Sequence, residues 1–154
     1  MPREEGEKIV ATNRRARHDY QIEDVVECGI VLSGDEVKSL REGRASLADC
    51  YGRVRDHEMW LEGLHIPPYE QGDKRTFQPT RPRKLLLHRR EIDKLGAETA
   101  EKGLALVPMR IYFTHGIAKV EIGVGKGKRQ FEKRQSIAKR ESQREIEQAA
   151  GRRR

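Results

Sequence analysis

The chain has 154 residues and carries 32 Lys+Arg against 25 Asp+Glu, a formal net charge of +7 at pH 7, which suits one domain with an appendage rather than two domains. Its only cysteines, Cys28 and Cys50, stand in no metal or redox spacing, which excludes a disulfide framework and a zinc site. No apolar run approaches the ~18 residues of a membrane span, and the start MPREEGEKIV lacks the apolar stretch of a secretory signal, so the expected compartment is the reducing cytoplasm.

From His18 to Leu32 the residues Tyr20, Ile22, Val26, Ile30 and Leu32 approximate a period-two apolar face. They predict a long strand, with Gly29 as its bulge. In SGDEVKSLREG, Ser33 and Glu36 have capping-box spacing, Val37 and Leu40 share a face, and Gly43 supplies the stop, which predicts a short helix. Residues 45–66 give two alternating runs around Asp56-His57-Glu58, a predicted hairpin. Four of the six prolines follow in PPYEQGDKRTFQPTRP, and an exposed loop is expected there. Leu85, Leu86, Ile92 and Leu95 have helical spacing and predict a second, longer helix starting near His88. LALVPMRIYF and IAKVEIGVG read as two strands around Thr114-His115-Gly116, with Pro108 at an edge or bulge.

Several antiparallel strands, one short helix and one longer one fit a small closed or nearly closed β-barrel better than a sandwich or a βαβ sheet. The fold class read from the sequence is therefore mainly β, an OB-fold-like antiparallel barrel followed by a disordered basic C-terminal tail. The expected division is a flexible N-terminus over 1–12, the barrel over 13–124 and the tail over 125–154.

Eleven Lys/Arg and four Glu fall in residues 125–154, leaving 21 basic and 21 acidic side chains in residues 1–124. The excess charge thus sits in the tail, whose large apolar residues are Phe131, Ile137 and Ile146. These cannot offset roughly 1–2 kcal/mol of backbone entropy per ordered residue. Lys and Arg that neutralise phosphates release condensed counterions, so the tail reads as a segment that orders on nucleic acid; a solvated solubility tail is the alternative. From Phe131 to Ala150 there is no Pro or Gly, and good helix formers dominate, which makes a helix latent.

Catalytic chemistry has no motif to stand on. The five histidines show no H-x-x-H or H-E-x-x-H spacing, GVGKGK lacks the G-x-x-x-x-G-K-[ST] phosphate loop, and no G-x-S-x-G is present. The sequence calls for no cofactor, no metal and no enzymatic reaction.

Five stretches in order are more specific: NRRARHDY at 13–20, ECGIVLSGDEVKSLREG at 27–43, RKLLLH at 83–88, KVEIGVGKGK at 119–128 and FEKR at 131–134. As a set, these closely resemble the SmpB family, the tmRNA-binding proteins of bacterial ribosome rescue. The resemblance implies an OB-fold barrel that binds the tRNA-like domain of tmRNA (SsrA RNA). It also implies a tail, unstructured when free, that becomes helical in the empty mRNA path of a stalled ribosome. Partners implied are tmRNA, small-subunit rRNA at the decoding centre and mRNA channel, and elongation factor Tu in the delivery complex. By the same resemblance Asn13, His18, Glu27, Leu86 and His88 lie on the tmRNA-facing side, with His88 standing where Asn is common. Phe131, Glu132, Lys133 and Arg134, with Lys139 and Arg140, belong to the tail that meets the decoding centre, Glu132-Lys133-Arg134 replacing the family's D-K-R.

Charge adds Lys38 and Arg41, three apart on one helical face, and Lys84, Lys126, Lys128 and Arg129, with Gly125 and Gly127 allowing close approach of backbone N–H groups to phosphate. From the residues alone, Glu27 is equally a surface carboxylate, Leu86 equally a core residue, and the Lys38/Arg41 face equally a solvated one. The rival reading is a ribosomal or rRNA-assembly protein.

Overall fold

A computed structural model describes residues 7–72 and 74–128. In chain order the elements are β1 (Lys8–Thr12), α1 (Ala16–Asp19), β2 (Tyr20–Ile30), α2 (Gly34–Arg41), β3 (Tyr51–Arg55), β4 (Glu58–Glu62), β5 (Arg83–Leu86), α3 (Arg89–Lys102), β6 (Ala105–Thr114) and β7 (Ile117–Gly127). Every strand pairing is antiparallel. The order is β1-β6-β3-β4-β5-β2-β7, and β7 also pairs with β6. Pairings therefore run from β6 through β3, β4, β5, β2 and β7 back to β6, with β1 added outside the ring. Two links are short: β3 meets β6 only at Gly52↔Leu106, and β2 meets β5 at Gly29↔Leu86 and Ile30↔Leu85.

Alternation along the strands creates the core. Cys28 and Ile30 of β2, Leu106, Ile111 and Phe113 of β6, and Val120, Ile122 and Val124 of β7 point inward with Met59, Leu61 and Leu85. Both tight hairpins close on two residues with positive φ, Asp56-His57 and His115-Gly116, the backbone that matches strand twist. Helix α2 begins with the predicted capping box, Ser33 Oγ accepting from the Glu36 N–H while Glu36 accepts from the Ser33 N–H. Leu40 is fully buried on its inner face, a contribution of about 1.5–3 kcal/mol. Helix α3 buries Ile92 and Leu95 and ends at Gly103 in the left-handed conformation.

Three expectations are corrected. Residues 8–12, expected in a flexible N-terminus, form β1 and pair with β6, and at the other boundary β7 runs past 124 to Gly127. The second helix starts at its N-cap His88 as expected, but Leu85 and Leu86, counted in its spacing, form β5: Leu85 is buried while Leu86 is 51% exposed, the period-two signature of a strand. The bulge in β2 falls between Ile22 and Asp24. Gly29 instead answers to crowding, since a Cβ there would lie 3.2 Å from Leu86 Cβ. The proline-rich segment is a surface loop as expected, and it is fastened beneath: Ser39 Oγ donates to the Pro67 carbonyl at 2.8 Å, and Arg83 donates to the carbonyls of Leu64 and Pro79.

That fastening centres on Glu36 and Arg83, 1% and 0% exposed. Arg83 donates from Nε to Glu36 Oε2 at 2.7 Å, and Arg81 donates to Oε1. Burial alone would raise the Glu36 carboxyl, but the Ser33 N–H and the two guanidiniums outweigh it and hold it below its usual value of 4.5. Burial also pulls Arg83 down from its usual value, yet a guanidinium stays charged throughout the folded range.

Candidate nucleic-acid interface

The bulge in β2 decides which residues meet on the outside of the sheet. On the Tyr20 side of it, Ile22 points outward and joins Tyr20, Ala105, Val107 and Met109 in a small second cluster sealed by Ala16 of α1. Beyond the bulge, Glu27 and Gly29 continue the same outer face, now uncovered. Strand β2 thus carries a helix-covered margin and an open field on one side of the sheet.

The margin collects the first group of expected residues. Asn13 donates from its backbone to the Met109 carbonyl at 2.8 Å and from Nδ2 to the Pro108 carbonyl at 3.1 Å. Its amide locks the β1–α1 turn over the bulge of β6, which lies between Pro108 and Arg110. His18 is exposed, its Nδ1 2.9 Å from Asp19 Oδ1. Gly127 pairs with Tyr20 and Lys126 with Gln21, and Lys128 Nζ donates to the Arg17 carbonyl at 2.9 Å. Asn13, His18, Lys126, Gly127 and Lys128 therefore share one corner although more than 100 residues separate its two halves.

Exposed Arg14, Arg15 and Arg17 stand at the same corner. Sequence reasoning misses them, although the RRAR run in NRRARHDY is visible there. Gly125 has a reason of its own: a Cβ would sit 2.2 Å from the Gln21 carbonyl oxygen, so β2 and β7 could not pair as closely. At Gly127 the nearest atom to such a Cβ is 3.9 Å away, leaving room for approach from outside.

The open field is built in rows. Leu86, Gly29, Lys119 and Tyr112 are successive partners across β5, β2, β7 and β6, and Glu27, Glu121 and Arg110 form the next row. Glu27 and Glu121 are thus like charges in direct register, a repulsive pairing. Strand β6 answers both: Arg110 Nε donates to Glu121 Oε2 at 2.8 Å, and the Tyr112 hydroxyl donates to Glu27 Oε2. Arg110 also pairs with Glu7 and stacks over the Tyr112 ring, 4.3 Å from its centroid. Burial, followed by the hydrogen bond to Glu27, raises the Tyr112 hydroxyl well above its usual range, so it stays a donor. Hydrogen bonds to Glu7 and Glu121 outweigh burial at Arg110 and raise it too.

Lys84 lies on the same face of β5 as Leu86, with its Nζ 3.4 Å from Glu58 Oε1. His88 is the exposed N-cap residue of α3, two positions past Leu86, in the direction in which antiparallel β2 runs back towards Glu27. Lys38 and Arg41 lie elsewhere. They are exposed on α2, Lys38 Nζ 5.5 Å from the Tyr69 ring centroid and Arg41 5.9 Å from that of Phe113. Arg129, Phe131, Glu132, Lys133, Arg134, Lys139 and Arg140 fall outside the described residues. Among the described residues no cluster of His, Cys, Asp or Glu is arranged to hold a metal ion, and no helix is long and apolar enough to cross a membrane.

A mainly antiparallel β protein with helices, OB-fold-like and bearing a basic corner beside an open sheet face, is the class that fold and surface define. Residues 10–152 match the family described as "SmpB protein". The chain is 58% identical over 153 residues to the SsrA-binding protein of Salinispora tropica, covering 99% of this chain and 96% of that one. It is 56% identical over 150 residues to the SsrA-binding protein of Thermobifida fusca, covering 97% and 94%. Among solved structures, a chain described under "tmRNA-SmpB: a journey to the center of the bacterial ribosome" superposes with a TM-score of 0.64 at 49% identity, over 77% of this chain and 83% of that one. The chain belongs to the SmpB family.

Proposed function

We propose that this protein binds tmRNA through the tRNA-like domain and delivers it to ribosomes stalled without a codon in the decoding site. It makes and breaks no covalent bond, so its work is to recognise and to place. The observation that carries the reading is the meeting, on one side of the sheet, of the Asn13–His18 turn, the Lys126–Lys128 strand end and the open field that holds Glu27, Leu86 and Lys84. Cations at the corner hold backbone phosphates, which fixes orientation without reading sequence. The open face offers an exposed leucine and a carboxylate, chemistry suited to unstacked bases and their N–H donors.

In this reading the closed ring of strand pairings is a barrel, and the segment after Lys128 is a separate working part. That segment, with Phe131 for stacking and Lys133, Arg134, Lys139 and Arg140 for phosphate, enters the vacant mRNA path. Elongation factor Tu accompanies the complex during delivery. The division sharpens where a truncation belongs: Lys128 holds the Arg17 carbonyl and Gly127 pairs with Tyr20, so the cut falls after Lys128 rather than at the expected boundary after Val124.

The test is a binding comparison at matched salt between the tRNA-like domain of tmRNA, a tRNA and an rRNA fragment, together with peptide tagging by protein ending at Lys128. Preference for the tRNA-like domain, retained by the truncated protein while tagging is lost, is expected. Equal affinity for all three RNAs would return the protein to the rRNA-binding class.

A further inference from the structure

We infer that Tyr112 is a positioning residue for Glu27, holding one carboxylate oxygen so that the other faces outward as an acceptor for N–H donors of the bound RNA. The inference rests on the proposed tmRNA-binding role of the open face.

Glu27 faces Glu121 directly across β2 and β7. Left alone, two carboxylates in that register would swing apart, and Glu27 would have no fixed direction. The partners on β6 differ in kind. Glu121 receives the guanidinium of Arg110, a cation, whereas Glu27 receives the Tyr112 hydroxyl, a neutral group. A neutral donor orients a carboxylate without cancelling its charge, so Glu27 keeps its full capacity to accept.

Tyr112 is itself held. It is 2% exposed, and Arg110 stacks on its ring while paired to both Glu7 and Glu121. Its phenol crosses β7 diagonally, from the row of Lys119 to the row of Glu27. Glu7 immediately precedes β1, so the added strand outside the ring has a role in the site. It brings in the acidic group that, with Glu121, pins Arg110 and hence the tyrosine. A side chain oriented before binding loses less freedom on binding, which is where its contribution to affinity arises.

The experiment is a double-mutant cycle with an in vitro transcript of the tRNA-like domain, reading Kd over a range of salt concentrations, with urea denaturation of each variant. Tyr112→Phe is expected to weaken binding about 5- to 10-fold, the scale of the freedom that one unheld side chain must lose on binding. The slope of log Kd against log salt should not change, because no cation is removed. In the Glu27→Ala background, Tyr112→Phe should have no further effect. If Glu27→Ala alone leaves Kd unchanged, the open face is not the RNA surface and the inference goes with it. If Glu27→Ala weakens binding but Tyr112→Phe does not, or if the two effects multiply independently, the surface stands and the positioning role is wrong.

Discussion

Two glutamates, one in α2 and one in β2, show two uses of a carboxylate in this fold: one holds the fold together and the other, in the proposed function, meets the RNA. Glu36 is buried at the start of α2, with the Ser33 N–H, Arg81 and Arg83 on its carboxylate. Glu27 is exposed in the middle of β2, where a neutral hydroxyl donates to it. The first carboxylate is spent entirely on the protein and fastens the proline-rich segment to α2 and β5. The second is oriented and left with acceptor capacity to spare. A buried ion pair is dangerous to break because the remaining charge has no water to turn to, whereas an exposed carboxylate can be altered at small cost to folding.

The sharpest way to break that contrast is Arg83→Met. It leaves the Glu36 carboxylate buried with the Ser33 N–H and the partly exposed Arg81 as partners, and a loss near the lower end of about 3–5 kcal/mol is expected by urea denaturation. A loss below about 1 kcal/mol would mean that water reaches Glu36 and that the pair does not anchor the segment. Acid probes the same pair. Because the folded carboxyl lies below 4.5, its stabilising share is complete above the unfolded value and disappears as pH falls through the folded one. The wild-type protein should therefore lose stability below about pH 4.5 more steeply than Arg83→Met does, as read by denaturation midpoints across that range.

Gly125→Ala tests the join between the basic corner and the sheet. The new Cβ would meet the Gln21 carbonyl, so β2 and β7 must separate, at an expected cost of about 1–3 kcal/mol. Since Lys126 and Lys128 hang on that pairing, RNA affinity should fall with stability. Replacing Lys126 and Lys128 by Ala is expected to leave the urea midpoint in place and to flatten the salt dependence of RNA binding, each lysine contributing about 0.7–0.9 to the slope of log Kd against log salt. An unchanged slope would place the phosphates elsewhere, with the α2 cations Lys38 and Arg41 next to be tried.

How much of this was legible in the sequence depends on how far apart the cooperating residues lie. The capping box of Ser33 and Glu36, the extent of strand β2 and both hairpins rest on alternation and turns within a few residues, and they read correctly; the single apolar face expected of β2 does not, because its bulge turns Tyr20 and Ile22 outward while Val26 and Ile30 pack with the core. Strand β5 did not. Its four residues adjoin α3, and Leu85 and Leu86 fit a helical stripe until their partners on β2 and β4 are known. The Glu36–Arg83 pair spans 47 positions and the Tyr112–Glu27 contact 85, so no local pattern contains them. For the site, charge alone pointed to Lys126 and Lys128, while Asn13 and Glu27 came from resemblance. Neither could show that the Asn13 amide is occupied with the Pro108 carbonyl, or that Glu27 is aimed by a tyrosine, because both depend on bulges that reset which face a strand presents.

The smallest expected effect is the most informative about the second glutamate. Glu27→Gln removes a negative charge from direct register with Glu121, a relief of about 0.2–1 kcal/mol, while the amide oxygen can still accept from Tyr112, more weakly than a carboxylate does. The two changes oppose each other, so the urea midpoint should move by no more than about 0.5 kcal/mol. If Glu27→Gln instead costs more than about 1 kcal/mol, the carboxylate is tied into the sheet as Glu36 is tied under α2. The outer face would then hold no acceptor kept free for RNA. A small shift, together with the large one at Arg83, would show that this fold buries one acid to close its core and exposes the other to a ligand.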